Sequence, residues 1–384
     1  MKTFSNQYLS PTLSNDLKNH QLLSCAVNLL NGTQLLENNI KIIRILKKPV
    51  VTLTSKESKL ITNHMSSVLK NIHAAKQQNR ASIVSNIIQI MDEDTEKYVY
   101  RYDIKRFYES IHPNLIYNKI LDDHLISPKN KELIRLFLDA IESHSIRGVG
   151  RGTSLSTALA EYYMKEMDKA IRDIEGVYYY ARFVDDIIIV SYKKKVNFRS
   201  IIQDILPKPM ELHESNNKCF EVNLDNTDQK EFSYLGYKFH ANKKKCIKVD
   251  LSDNKVKKIK FRLTKAFIEY SKNMDINLLI KRIKYITGNR FIELKNGLSF
   301  CVGLSASYSK INPENSTALV ELDNYYKSLV FSRNSRVQKV LLRKGISLTR
   351  SNFIRNVSFT SSFKSKPIYH FKDINEIKEC WNNA

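Results

Sequence analysis

Two aspartates stand side by side at Asp185 and Asp186, between two strongly apolar stretches, Val177–Phe183 and Ile187–Tyr192. Both stretches read as β-strands, and with only Val184, Asp185 and Asp186 between them they predict a hairpin. A surface hairpin turn normally carries Asn-Gly or Asp-Gly, and this one carries neither. Adjacent acids at the ends of buried strands repel each other and are costly unless a cation offsets them. Asp103 is a third acid in the same setting, at the end of the apolar strand Val99–Ile104. Three carboxylates on neighbouring strands of one sheet can hold two divalent ions about 3.5–4 Å apart. Oxygen ligands suit Mg2+, and the lack of a nearby His/Cys set argues against zinc. A reading as solvated turn acids accounts for the adjacent pair alone, but not for the pair together with Asp103 and the glycine-rich loop described below.

Two such ions do specific work in nucleotidyl transfer. One makes a primer 3′-hydroxyl a better nucleophile, and the other neutralises the triphosphate and the departing pyrophosphate.

The elements that must position these acids can be read from periodicity. Tyr98–Ile104 is a strand rich in Tyr, Val and Ile, and Pro113 suits the first turn of a helix. Helical patterns continue through Ile141. Ile146–Thr153 carries glycines at 148, 150 and 152 and reads as a loop, and Ser154–Ile174 follows as a helix. Phe220–Leu224 and Phe232–Phe239 read as further short strands, with Gly236 at a tight strand position. Upstream, Ser55–Met91 shows helical spacing in two runs, Val50–Leu53 reads as a short strand after a break at Pro49, and Ile40–Leu46 mixes helix and strand signals. Strand, helices, hairpin and more strands make an α+β unit, preceded by a mainly helical segment and followed by a helical, basic one. The expected regions are 1–97, 98–250 and 251–384.

Charge points to the partner. Lys plus Arg number 62 against 39 Asp plus Glu, a net of +23. Residues 251–384 hold 25 Lys/Arg against 10 Asp/Glu, a net of +15, so most of the excess lies in about a third of the chain. Such an excess favours a polyanion, because each phosphate neutralised releases counterions. Val256–Tyr270 and Leu278–Tyr285 carry Lys or Arg on most helical turns, suited to tracking phosphates without reading sequence. An anionic membrane surface fits less well, since no run of 18 apolar residues and no clear signal peptide occurs. The five cysteines, Cys25, Cys219, Cys246, Cys301 and Cys380, form no CxxC pair. Free thiols in a reducing cytoplasm are expected.

At this point the chain resembles the reverse-transcriptase family. Tyr102–Ile111, reading YDIKRFYESI, is similar to the family's first metal-binding motif. Gly148–Glu161, reading GVGRGTSLSTALAE, is similar to the loop and helix that pack on template and incoming nucleotide. Phe183–Asp186 is similar to the xxDD turn, Leu212–Lys218 (LHESNNK) to the following motif with its lysine, and Phe232–Tyr237 (FSYLGY) to the hairpin that grips the primer end. Five motifs in family order are specific where one would not be.

The resemblance implies a right-hand polymerase with fingers, an RRM-like antiparallel-sheet palm and a helical thumb-like region. It implies that Asp103, Asp185 and Asp186, with Ile104 beside them, bind two Mg2+ ions. Tyr108 falls where the family places a bulky ring under the sugar, which would clash with a ribose 2′-hydroxyl; its plain alternative is a core aromatic. Lys218 protonates pyrophosphate or touches its oxygens, or is a solvated loop lysine. Arg151, Gly152, Phe183 and Val184 line the substrate site. Lys76 and Arg80 hold the triphosphate from the fingers, or form a solvated face.

The chain also departs from the commoner pattern. Arg151 replaces the usual Gln before the glycine, and Phe183 stands where Tyr is commoner. Arg151-Gly152 with Leu-Ala-Glu downstream is more like bacterial abortive-infection and antiphage-defence reverse transcriptases. So are Tyr285-Ile286-Thr287-Gly288-Asn289, Val302-Gly303-Leu304 and Leu322-Asp323-Asn324-Tyr325-Tyr326. The expectation is an RNA-directed DNA polymerase of bacterial defence, using dNTPs, an RNA template (a dedicated non-coding RNA among the candidates) and a DNA product. A homo-oligomer or a partner defence protein belongs to the same expectation. The alternatives are a retron-type or intron-type enzyme, an RNA-templated RNA polymerase, which Tyr108 argues against, and a nucleic-acid-binding scaffold with a silent site.

Overall fold

A computed structural model describes residues 24, 27, 39–45, 48–215, 218–293, 299–332, 335–346, 348 and 351–382. Cys25, Leu46, Asn216, Asn217 and most of the segment expected to be helical before residue 40 lie outside the described residues. The chain divides into two compact units. The first takes the described part of residues 1–83 together with 96–223, and the second takes 84–95 together with 224–384. This division differs from the three expected regions: Lys230–Asp250, expected in the middle region, folds with the C-terminal helices.

In the first unit, β1 (Ile40–Ile45) and β2 (Lys48–Leu53) form an antiparallel hairpin. The ambiguous Ile40–Leu46 stretch is thus a strand over its described part. Pro49 sits inside β2 opposite Arg44 and does not end it, because each strand of a two-stranded sheet has an outer edge that needs no donor. Helix α1 (Lys56–His73) starts at Ser55, whose Oγ accepts from Ser58 N at 3.0 Å. Helix α2 (Arg80–Met91) follows, its residues from 84 on counted in the second unit, and then β3 (Lys97–Asp103). Next come α3 (Phe107–Ser110), α4 (Pro113–Leu121) and α5 (Pro128–Ser143). The prolines sit in the first turns of α4 and α5, where a missing N–H costs nothing. Helix α6 (Ser154–Arg172) is capped by Thr153 and packs on α1 and on β4 (Val177–Phe183). Strand β5 (Asp186–Ser191), helix α7 (Phe198–Ile205) and strand β6 (Phe220–Leu224) complete a sheet of order β4-β5-β3-β6. Residues Ile187–Val190 of β5 are fully buried, so the central strand is covered on both faces. The α+β class read from the sequence is the class observed.

The turn between β4 and β5 is tighter than its sequence suggests. Val184 and Asp185 alone form it, and Asp186 is already in β5, opposite both Phe183 and Asp103.

In the second unit, Phe232–Phe239 is not one strand. It is the hairpin of β7 (Lys230–Tyr234) and β8 (Tyr237–Ala241). Leu235 (φ 48°) and Gly236 (φ 78°) form its turn, the two positive dihedrals of a type I′ connection. Apolar alternation runs through the turn, which hid it. Strand β9 (Cys246–Leu251), unread in the sequence because Lys248 and Asp250 break its apolar run, pairs with β8. Helices α8 (Asp253–Asn273) and α9 (Ile276–Thr287) follow, and α8 packs on α9. The helical run is then interrupted by the hairpin of β10 (Asn289–Glu293) and β11 (Ser299–Gly303). Helices α10 (Leu304–Ser307), α11 (Thr317–Phe331), α12 (Arg336–Arg343), α13 (Asn352–Arg355), α14 (Phe359–Ser365) and α15 (Ile374–Asn382) complete the unit. Among the described residues, no helix is long and apolar enough to cross a membrane.

Candidate active site

The antiparallel register of β3 and β5 sets Asp103 directly opposite Asp186. The Val184–Asp185 turn adds Asp185, whose carbonyl accepts from Ile104 N at 2.9 Å. That bond ties the end of β3 to the turn, and it is the observed role of Ile104. Val184 has φ 61°, a costly conformation for a β-branched residue. The buried Arg182 holds it there. Its Nη1 donates to the Val184 carbonyl at 3.0 Å, and its other nitrogens grip Glu161 and Asp168 at 2.8 Å. Nothing in the strand pattern marked Arg182, because its partners lie on α6.

Each aspartate has its own electrostatic setting. Arg101, two residues before Asp103 on the same strand face, grips both oxygens of Asp186 at 2.7 and 2.8 Å. Asp103 accepts from Lys218 Nζ at 3.0 Å, and His213 Nε2 lies 3.3 Å from the same oxygen. Asp185 feels Lys48 of β2 as well as Lys218. Burial first, and then the negative charge of Asp103, raises the Asp185 carboxyl above its ordinary value. Burial also pushes Asp186 up, to about 6, against the pull of Arg101 and with Asp103 and Asp185 adding to the rise.

The donor set is all oxygen, which suits Mg2+. Beyond burial, Asp103 adds to the rise at both Asp185 and Asp186, and Asp185 to that at Asp186, a repulsion of the kind a divalent cation relieves. In donor chemistry the residues therefore fit the ion. Among the described residues, however, no three His, Cys, Asp or Glu side chains already converge closely enough to hold a metal. Arg101 and Lys218 engage Asp186 and Asp103 from within the protein.

The glycine loop supports the residues after Asp103. A Cβ on Gly148 would lie 2.0 Å from the Tyr108 carbonyl oxygen, and Val149 N donates to that oxygen at 3.2 Å. The loop thereby clamps the backbone beneath Tyr108. Tyr108 is half-buried, its ring faced by the Arg151 guanidinium at 5.7 Å. Arg151 is itself paired to Glu109. Gly152 is held against β2: a Cβ there would meet the Val51 carbonyl at 2.5 Å, and Val51 N donates to the Arg151 carbonyl at 2.7 Å. Phe183 ends β4 opposite Asp186.

Lys76 lies exposed between α1 and α2, and Arg80 opens α2. Lys76 makes no hydrogen bond to the aspartates among the described residues. Sequence reading missed Arg101, His213 and Lys48 at this site. Arg101 could have been found from its i−2 spacing to Asp103, which puts both on one face of a strand. Lys48 and His213 reach the acids only through tertiary folding.

A family model described as reverse transcriptase (RNA-dependent DNA polymerase) matches residues 45–239, half of the chain. Among solved structures, the chain is similar to apo telomerase from Candida tropicalis truncated from its C-terminal domain, at 14% identity and TM-score 0.37, covering 56% of this chain and 54% of that one. It is also similar to telomerase from Candida albicans in complex with a fragment of telomeric RNA, at 11% identity and TM-score 0.37, covering 83% of this chain and 66% of that one. The chain thus spans about half of the first of these structures and just under two thirds of the second. No curated protein matches the chain.

Proposed function

The chain belongs to the reverse-transcriptase family, and from that premise we propose that it is an RNA-directed DNA polymerase that extends a primer from dNTPs and serves bacterial defence against phage. The carrying observation is the register that sets Asp103 opposite Asp186 with Asp185 at the adjoining turn, inside the stretch matched by the family model. The defence role rests on Arg151 and on the C-terminal motifs that resemble the defence-associated group, a likeness of sequence alone.

In this reading, 1–97 supplies fingers, 98–250 the palm and 251–384 a thumb-like region. Asp103, Asp185 and Asp186, with Ile104 beside them, would hold two Mg2+ ions. When bound, Mg2+ lowers the charge cost of the triphosphate and leaving pyrophosphate. The chain's own residues do the rest. Tyr108, its backbone clamped by Gly148 and its ring backed by Arg151, presents a rigid aromatic face to the sugar and excludes a 2′-hydroxyl. Lys218 is already beside Asp103 and needs only a rotamer change to offer its proton to a departing phosphate oxygen. Lys48, with Lys76 and Arg80, draws in the triphosphate, and Gly152, Phe183 and Val184 shape the floor of the site. RNA template, including a dedicated non-coding RNA, and DNA product are the macromolecular partners. Self-association or a second defence protein completes the proposal.

The test is magnesium-dependent dNTP incorporation on a primed RNA template. Asp185→Asn combined with Asp186→Asn is expected to abolish incorporation while circular dichroism and nucleic-acid affinity stay at wild-type levels. Incorporation by that double variant at the wild-type rate would sink the assignment.

A further inference from the structure

Two of the C-terminal motifs, around Gly288 and around Asp323, lie in the second unit. Their contacts converge on one feature, a cavity of about 450 Å3 bounded by the end of α9, by α13 and α14, and by Pro367–Tyr369. The Tyr326 hydroxyl donates to the Ile354 carbonyl at 3.0 Å and so fixes α13. Asp323 accepts from Ser358 Oγ at 2.9 Å and from the Thr360 hydroxyl at 2.8 Å, which fixes the start of α14. Gly288 leaves room for Tyr369, whose ring would lie 2.3 Å from any Cβ there. Asn289 then locks that segment, donating from N to the Pro367 carbonyl and accepting from Tyr369 N, both at 2.8 Å. Each wall is therefore held by a separate motif residue.

The lining has a definite chemical character. It contains no charged side chain, only hydroxyls, amides, a proline, a valine and two aromatic rings, Phe353 and Tyr369. Asn356 and Ser361 offer side-chain donors and acceptors that no protein group takes among the described residues. Lys284 stands at both rings, its Nζ 5.1 Å from the Phe353 centroid and 5.3 Å from that of Tyr369. A neutral hydrogen-bonding hollow with aromatic walls suits a nucleobase, and a cation beside it suits the attached phosphate. The volume falls within the roughly 300–1,000 Å3 of small-ligand sites. A carbohydrate would use the hydroxyls but not the ammonium, and an acidic peptide would leave the uncharged lining unmatched. The surrounding net charge of +15 over residues 251–384 also favours a polyanion.

We infer that this cavity takes an unpaired nucleotide of a single-stranded segment, the base held by the neutral lining that includes Phe353 and Tyr369 and the phosphate meeting Lys284. The inference rests on the reading of the chain as a nucleic-acid polymerase, and it adds, in the second unit, a site that discriminates single strand from duplex.

Fluorescence anisotropy of the full chain tests it, with a 12-nucleotide fluorescein-labelled single strand as DNA and as RNA, and a hairpin duplex of the same composition. Asn356→Ala and Ser361→Phe change exposed side chains without protein partners, so both are expected to fold, with melting temperatures near wild type as the check. Single-strand affinity is expected to fall by about 5-fold or more in each, with duplex affinity unchanged. Unchanged single-strand affinity, or an equal loss on duplex, overturns the inference. Chasing the bound single strand with a free deoxynucleoside monophosphate separates the sources: release at micromolar concentration overturns the assignment to a strand and assigns the cavity to free nucleotide. Primer extension run in parallel keeps the two claims apart. Cavity discrimination in a chain that incorporates nothing would refute the polymerase and leave this site standing.

Discussion

At the scale of single residues, the site is governed by which cation offsets which acid. Asp186 is gripped through both oxygens by Arg101, each group about 15% exposed, so screening by water is weak. Removing one partner of such a pair strands the other charge. Arg101→Gln is therefore expected to lower unfolding free energy by about 3 kcal/mol in a denaturant titration without divalent ions. In the same variant Asp186 is released, so added Mg2+ is expected to raise Tm by more than it does in wild type. An equal Mg2+ response in both proteins would mean that Arg101 and the ion do not compete for Asp186. The aspartates themselves were legible in the sequence, because two acids between buried strands are anomalous. Arg101 was not singled out, since one arginine in a basic chain carries no signal until the register shows what it faces.

At the scale of elements, short connections decide more than long helices. The β4–β5 turn, the Gly148–Gly152 loop and the β7–β8 turn all use positive φ, and only some of these positions are glycine. Val184 occupies that region with its carbonyl held by Arg182, which propensity cannot reveal. Strand β9 shows a similar limit. Asp250 breaks its apolar run, yet Asp250 is buried and joins β9 to the start of α11 by accepting from Ser316 Oγ at 2.5 Å and from Ala318 N at 3.1 Å. Burial alone would raise its carboxyl, but these donors, Leu251 N and Lys248 outweigh it and hold it below the ordinary value of 3.8. A depressed folded value contributes stability that is present above pH 3.8 and lost as pH falls through the lower, folded value. Asp250→Asn is expected to cost about 1–3 kcal/mol at pH 7, with the gap to wild type narrowing below pH 3.8, as followed by thermal melts across pH.

At the scale of the whole molecule, the net charge of +23 sets the response to salt. Binding that neutralises about six phosphates gives a log–log slope near −5 against salt concentration. Affinity for a primer–template duplex is accordingly expected to fall by about 10³ between 50 and 200 mM salt, checked by equilibrium titration. A flat response would mean that the basic surface of residues 251–384 does not track the backbone. Composition alone supports this prediction, because counterion release depends on the number of charges neutralised rather than on their exact placement.

The sequence by itself determined the α+β class, the three acids, the order of the motifs and the excess of positive charge. Each of these follows from periodicity, residue type or charge count, which are local or additive properties. Only the tertiary structure decided that Asp186 belongs to β5 and pairs with Arg101, that Gly148 supports Tyr108 while Gly152 packs on β2, and that the Gly288 and Asp323 motifs build a cavity. Those facts depend on register and on contacts between residues distant in the chain, for which a spacing rule has no term.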